Sequence, residues 1–147
     1  MERVILTETN FSRLKEFVKK NKGKEIVFSS NDDDLNRKVL EKLEVNFILI
    51  KLENRKDYLK QRNSGLNEVM VTIAKKKNIG IGIDFDELKE SKDKEKILSR
   101  IRQNISLCKR VKVRMKFFSE NEQDAYFLKS LGLVLGMPTW MVKEVYY

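Results

Sequence analysis

The chain has 147 residues, 31 of them Lys or Arg and 22 Asp or Glu, which gives a formal charge of +9; it holds a single Cys and no His. Without histidine there is no Ser-His-Asp or Cys-His catalytic pair, no imidazole metal ligand and no imidazole switch near neutrality, and the lone Cys108 excludes an intrachain disulfide or a cysteine metal cluster. Charged residues at 36% exceed the usual quarter of a globular domain while apolar residues stay at 41%, so residues 1–147 read as one folded domain with a highly charged surface.

No signal-like segment follows Met1, and no apolar run approaches the ~20 residues of a membrane span. Together with the single cysteine, this predicts a protein of the reducing cytoplasm with no membrane partner.

In chain order, alternating apolar residues predict a first strand over Arg3–Thr7, and Phe11, Leu14, Phe17 and Val18 recur at helical spacing until Gly23. A second strand over Glu25–Ser29 leads to Ser30 and Asp33, which suit the cap and first turn of a helix carrying Leu35, Val39, Leu40 and Leu43. The third strand is Val45–Ile50, followed by a helix bearing Leu66, Val69, Met70, Ile73 and Ala74 and by a fourth strand over Ile79–Ile83. Ile97, Ile101, Ile105 and Cys108 share one side of a long helix, before a fifth strand at Val111–Phe118. Ser119 and Glu122 suit another helix start, Gly132 its end, Leu133–Leu135 a short sixth strand, and Pro138 the first turn of a last helix with Trp140, Met141 and Val145. Trp140, with Tyr146 and Tyr147 after it, reads as a C-terminal docking anchor or a partner contact.

This is α/β repetition of β-α units, which demands a mostly parallel sheet with right-handed crossovers. Five or six strands fall short of a complete eight-stranded barrel of about 250 residues, so the expected architecture is an incomplete or shortened TIM-barrel-like fold.

Several motifs bear on chemistry. Residues 94–116 carry a net +8, opposed only by Glu95, and so concentrated a block favours nucleic acid or another polyanion over a merely solvated face. Within it, Lys112, Arg114 and Lys116 would form a basic row opposite Val111, Val113, Met115 and Phe117 on an alternating strand. Lys60, Arg62, Asn63, Ser64, Gly65 and Asn67 precede a helix: Ser64 is placed to cap it and Gly65 to let a phosphate approach, although a plain capped helix start accounts for the spacing as well. The glycines of Ile79-Gly80-Ile81-Gly82-Ile83 fit a strand whose other face needs small residues against a helix or a neighbouring backbone, since the third glycine of a dinucleotide loop is missing. Asp84 and Asp86 share one face of an extended segment and offer the alternative of a small phosphoester- or nucleotide-handling enzyme; as acids at a strand end, they also suit a helix start. The Asp32–Asp34 run is read as a helix start.

The segment Arg62-Asn-Ser-Gly-Leu-Asn-Glu-Val-Met70 with the following Ile79–Ile83 strand resembles the "(K/R)xSG(L/M)xxVL" element of ribonuclease P protein component 3, the barrel-like subunit of archaeal and eukaryotic ribonuclease P. Ser99–Arg110 with Val111-Lys-Val is similar to that family's "RxxRxNxxLxRKYKV" helix and strand, Asn36 and Arg37 match its "Gx(D/E)xxINR" stretch, and Leu128–Met137 resembles its closing segment. The order is kept over roughly residues 25–147, while the family's opening β-α units are missing and its "SHP" triplet is replaced by Ile50-Lys51-Leu52. The resemblance implies a non-catalytic subunit that supports a catalytic RNA in maturing precursor tRNA, with ribonuclease P RNA, precursor tRNA and component 2 as partners. The resemblance also implies that the protein binds no cofactor of its own and that Mg²⁺ acts through the RNA. The open sheet edges of a shortened barrel would be covered by such a partner or by a second copy. Residues expected to meet RNA are Lys60, Arg62, Asn63, Ser64, Gly65 and Asn67 in the turn, with Arg100, Arg102, Lys109, Arg110, Lys112, Arg114 and Lys116 in the basic block.

Overall fold

In the computed structural model, which describes residues 2–144, five strands alternate with helices. They are β1 (Arg3–Leu6), α1 (Phe11–Lys20), β2 (Glu25–Ser30), α2 (Asp33–Lys42), β3 (Phe47–Ile50), α3 (Glu68–Lys77), β4 (Gly80–Asp84), α4 (Phe85–Glu90), α5 (Lys94–Val111), β5 (Met115–Phe118), α6 (Ala125–Leu135) and α7 (Thr139–Val142). The strands are all parallel and lie in chain order β1-β2-β3-β4-β5. This is the shortened barrel-like α/β fold that the β-α repetition predicts.

The strand period of two sorts the sheet into two faces. Ile26, Phe28, Ile48, Ile50, Ile81, Ile83, Met115 and Phe117 point to the helices and join Leu14, Val39, Ala74, Ile101, Ile105 and Cys108 in one core. Burying side chains of this size is worth roughly 1.5–3 kcal/mol each, against 0–1 kcal/mol for an exposed ion pair, so this layer dominates stability. Burial also pushes the Cys108 thiol up to about 12, consistent with its expected place in the core.

The opposite face is smaller and self-filled. Val27, Phe47, Leu49 and Phe118 form a second cluster, with the Phe47 and Phe118 rings 5.3 Å apart and edge-on. The glycines of β4 make room for those rings: a Cβ on Gly80 would stand 2.3 Å from Phe47 Cε1, and one on Gly82 would stand 2.9 Å from Phe118 Cδ2. The small residues thus meet aromatic side chains and not a helix or a backbone. Arg3 of β1 lies 4.8 Å above the Phe118 ring of β5, and Lys116 reaches Glu25 of β2 at 3.7 Å, so the curl of the sheet brings its two edges within side-chain reach. Among the described residues, β1 and β5 have no further strand partner.

Several expected boundaries move. α5 continues through Val111, and Lys112 ends it in the left-handed conformation at φ 59°, so the fifth strand begins at Met115. Leu133–Leu135 belongs to α6, which ends at Gly136; Gly132 lies within that helix, packed on Met137. The helix caps are Asp32, Asn67 and Asp124, not Ser30, Ser64 and Ser119. Pro138 stands just before α7, not inside its first turn. Val145, Tyr146 and Tyr147 lie outside the described residues.

Candidate nucleic-acid interface

The segment between β3 and α3, residues 51–67, has no helix or strand of its own and is held by side chains from four elements. Arg55 donates from Nη1 and Nη2 to the two carboxylate oxygens of Asp33, each at 2.8 Å, and from Nε to Lys51 O at 2.6 Å. Arg100, 3% exposed, donates to Leu52 O at 2.9 Å, Arg55 O at 2.8 Å and Asp57 Oδ1 at 3.1 Å. The Asn63 N–H and the Arg100 guanidinium together hold the Asp57 carboxyl below its ordinary range. Asn104 Nδ2 donates to Ser64 O at 3.2 Å, and Gln103 Nε2 to Ser64 Oγ at 3.2 Å and Arg62 O at 3.0 Å. The two segments that carry the family resemblance, some forty residues apart, therefore brace one another.

This geometry revises the reading of the turn. Ser64 is 1% exposed and faces α5; Asn67 supplies the cap, its Oδ1 accepting from Met70 N at 2.9 Å. Gly65 has φ +74°, and a Cβ there would stand 2.6 Å from Arg55 Nη2 and 2.7 Å from Ile50 Cγ2. Its glycine is therefore a packing requirement of the loop itself. A cleft of about 230 Å³ does open beside it, rimmed by Arg37, Arg62 and Gln103 but also by Asp33 and Asp34, whose charges oppose a phosphate. Lys60 and Arg62 remain exposed on the outer side of this loop.

The basic block of residues 94–116 does not form one stripe, because helical period points its members in different directions. Arg100 is buried and committed to the loop. Arg102 donates to Val134 O at 3.1 Å, and Arg110 meets Glu68 at 3.2 Å. Arg114 stacks 4.9 Å above Phe47 and donates to Asn78 Oδ1 at 2.9 Å, while Lys116 turns onto Phe47 and Glu25. Lys109 and the Lys112 side chain have no hydrogen-bond or ion-pair partner among the described residues and stand at the end of α5.

The carboxylates of the alternative reading are occupied. Asp84 caps α4 through Glu87 N at 3.1 Å and pairs with Lys51; Asp86 accepts from Ser119 Oγ at 2.6 Å and Glu120 N at 2.8 Å. Burial alone would lower the Lys51 ammonium, but the Asp84 hydrogen bond and the surrounding carboxylates outweigh it and lift the group above its ordinary value. Burial raises Glu87, although its carboxylate accepts from Leu52 N at 2.7 Å. No group of three or more His, Cys, Asp or Glu side chains among the described residues could hold a metal ion, and no described helix is long and apolar enough to cross a membrane.

No family model and no curated protein matches the chain. Among solved structures, a chain of the cryo-EM structure of archaeal ribonuclease P with mature tRNA superposes with a TM-score of 0.81 at 22% identity, over 97% of this chain and 63% of that one. A Bacteroides fragilis chain named as an oxidoreductase reaches a TM-score of only 0.35 at 12% identity, over 91% of this chain and 42% of that one. The first match establishes the fold: an α/β chain of parallel strands in shortened barrel order, spanning just under two thirds of the length of its structural counterpart.

Proposed function

We propose that this chain is a protein subunit of a ribonuclease P particle, binding and supporting the RNA that matures the 5′ ends of precursor tRNA. The observation that carries this reading is the superposition of nearly the whole chain on one chain of archaeal ribonuclease P. Two features support it. The Ser64 turn and the Arg100–Asn104 helix, whose sequences resemble component 3, are hydrogen-bonded to each other. The charge of +9 suits a polyanion.

In this role the protein contributes no bond-breaking group. Its cations neutralise phosphates that would otherwise repel one another, and Mg²⁺ held by the RNA supplies the chemistry. Protein partners are component 2 or a second copy, and α6 offers a surface for one: Tyr126, Phe127, Leu133 and Val134 are all at least half exposed, with Trp140 nearby at 39%.

Affinity capture with the tagged chain from its native lysate, followed by sequencing of bound RNA, tests the reading. Enrichment of one structured RNA able to cleave precursor tRNA is expected. Recovery of no RNA, or of bulk RNA in proportion to abundance, overturns it.

A further inference from the structure

Parallel β-α units place every helix C-terminus and every following strand start at one edge of the sheet, and this edge gathers bases from turns far apart in sequence. The α1–β2 turn brings Lys19, Lys20, Lys22 and Lys24; the α3–β4 turn brings Lys75, Lys76 and Lys77; the α5–β5 turn brings Lys109, Arg110 and Lys112. Glu41 at the end of α2, Glu44 after it, Glu2 before β1 and Glu68 of α3 are acids beside them, and Glu41, Glu2 and Glu68 pair with Arg37, Lys24 and Arg110. Helix ends attract cations for dipole reasons, which accounts for the last-turn lysines. Lys22, Lys24 and Lys112 lie beyond those last turns and exceed that need. Among the described residues the side chains of Lys19, Lys20, Lys22, Lys76, Lys109 and Lys112 carry no hydrogen bond or ion pair.

The edge is also concave. Between the α1–β2 and α3–β4 turns runs an open groove of about 680 Å³, lined by Lys19, Lys22, Lys24 and Lys77 with the amides Asn46 and Asn78, and by one acid, Glu44. Lys24 and Lys77 are engaged with Glu2 and with Leu43 O, which leaves Lys19 and Lys22 as the free ammonium groups of the groove. Together with the neighbouring amides and the unpaired Lys76, Lys109 and Lys112 they are cations spread over several turns, which fit an array of separate phosphates better than a single small anion. We propose that this edge, centred on that groove and continued to Lys109 and Lys112, holds the phosphate backbone of a folded RNA. The inference rests on the RNA-binding reading above and assigns it a face that includes α1 and α3, outside the basic block of the sequence.

The test compares charge reversals of equal size on the two edges, with transcribed precursor tRNA as the probe. Lys19→Glu, Lys22→Glu and Lys76→Glu together are expected to weaken binding by about tenfold or more at ~0.1 M salt and to reduce the slope of log affinity against log salt by roughly 2–3, since each phosphate contact contributes about 0.7–0.9. Lys56→Glu, Lys89→Glu and Lys92→Glu on the opposite edge are expected to change affinity by less than about threefold. The corresponding Lys→Gln set keeps the comparison intact if reversal perturbs folding, and acetylation of lysines with and without RNA should show Lys19, Lys22 and Lys76 protected. Wild-type binding that survives the first set, or falls equally with both, overturns the face while leaving the RNA reading in place. A wild-type chain with no affinity for precursor tRNA also overturns the face, and RNA capture from the native lysate then decides the subunit reading separately.

Discussion

The two edges of the sheet carry charge in opposite ways. At the edge where strands end, the charges next to the sheet are matched and turned inward, Lys51 on Asp84, Arg55 on Asp33, Arg100 on Asp57 and Asp86 on the Ser119 hydroxyl, while Lys56, Lys60, Arg62, Lys89 and Lys92 stand exposed farther out. At the edge where strands begin, lysines stand with few partners. Paired charges hold the long 51–67 loop in one conformation, and unpaired charges remain available to a partner. If the proposed face is right, a binding face is set less by local density of basic residues in the sequence than by which of them the protein itself leaves unneutralised.

The largest expected effect breaks the inward-turned edge. Arg100→Met leaves the carbonyls of Leu52 and Arg55 without their buried donor and should cost on the order of 2–3 kcal/mol in denaturant unfolding. A loss below about 0.5 kcal/mol would mean that the loop does not depend on this brace. Next comes Gly65→Ala, whose Cβ meets Arg55 and Ile50 in a backbone conformation disfavoured for L-residues; about 1–3 kcal/mol should be lost. Any accompanying fall in RNA affinity would then report a disturbed loop, so this site cannot by itself diagnose a bound phosphate. Asn67→Ala removes the α3 cap and should cost about 1 kcal/mol, detectable as a lower unfolding midpoint; equal stability of mutant and wild type would show that the cap is dispensable.

The smallest effect is in pH dependence. Lys51 is held above its ordinary value, so the stabilisation from its pairing is complete below the free lysine pKa of about 10.4 and is lost as pH climbs through the higher folded-state value. Glu87 acts in the same sense but at lower pH: its raised pKa means that stability declines as pH rises from the ordinary glutamate range through the folded-state value. Glu87→Gln keeps an oxygen for Leu52 N and should flatten that acid-side decline in pH-dependent melting; an unchanged profile would contradict the assignment.

Much of this fold is legible in the sequence, because runs such as Phe47-Ile-Leu-Ile50 and the Ile97, Ile101, Ile105 series announce strand and helix through burial alone. Caps are harder. A serine preceding a helix looks equivalent to the Asp or Asn a few residues later, and only the backbone decides which oxygen reaches a free N–H, as Asn67 does for Met70. The stretch Val111–Phe117 alternates perfectly yet begins as helix, since alternation does not register that Lys112 turns left-handed to end α5. The candidate turn was visible through Ser64 and Gly65, but its dependence on Arg55, Gln103 and Asn104 is a property of tertiary packing. The basic edge was least visible, being assembled from turns some thirty to fifty residues apart that only parallel topology unites.

The central claim, that this chain supports a catalytic RNA, is tested most directly by precursor-tRNA cleavage in a reconstituted particle assembled with and without it. Bound protein offsets phosphate repulsion that metal ions otherwise screen. Cleavage at limiting Mg²⁺ should therefore rise when the wild-type chain is added, the advantage should shrink as Mg²⁺ is raised, and Lys19→Glu, Lys22→Glu and Lys76→Glu together should abolish it. Cleavage that is the same at every Mg²⁺ concentration with the chain present or absent would contradict the account.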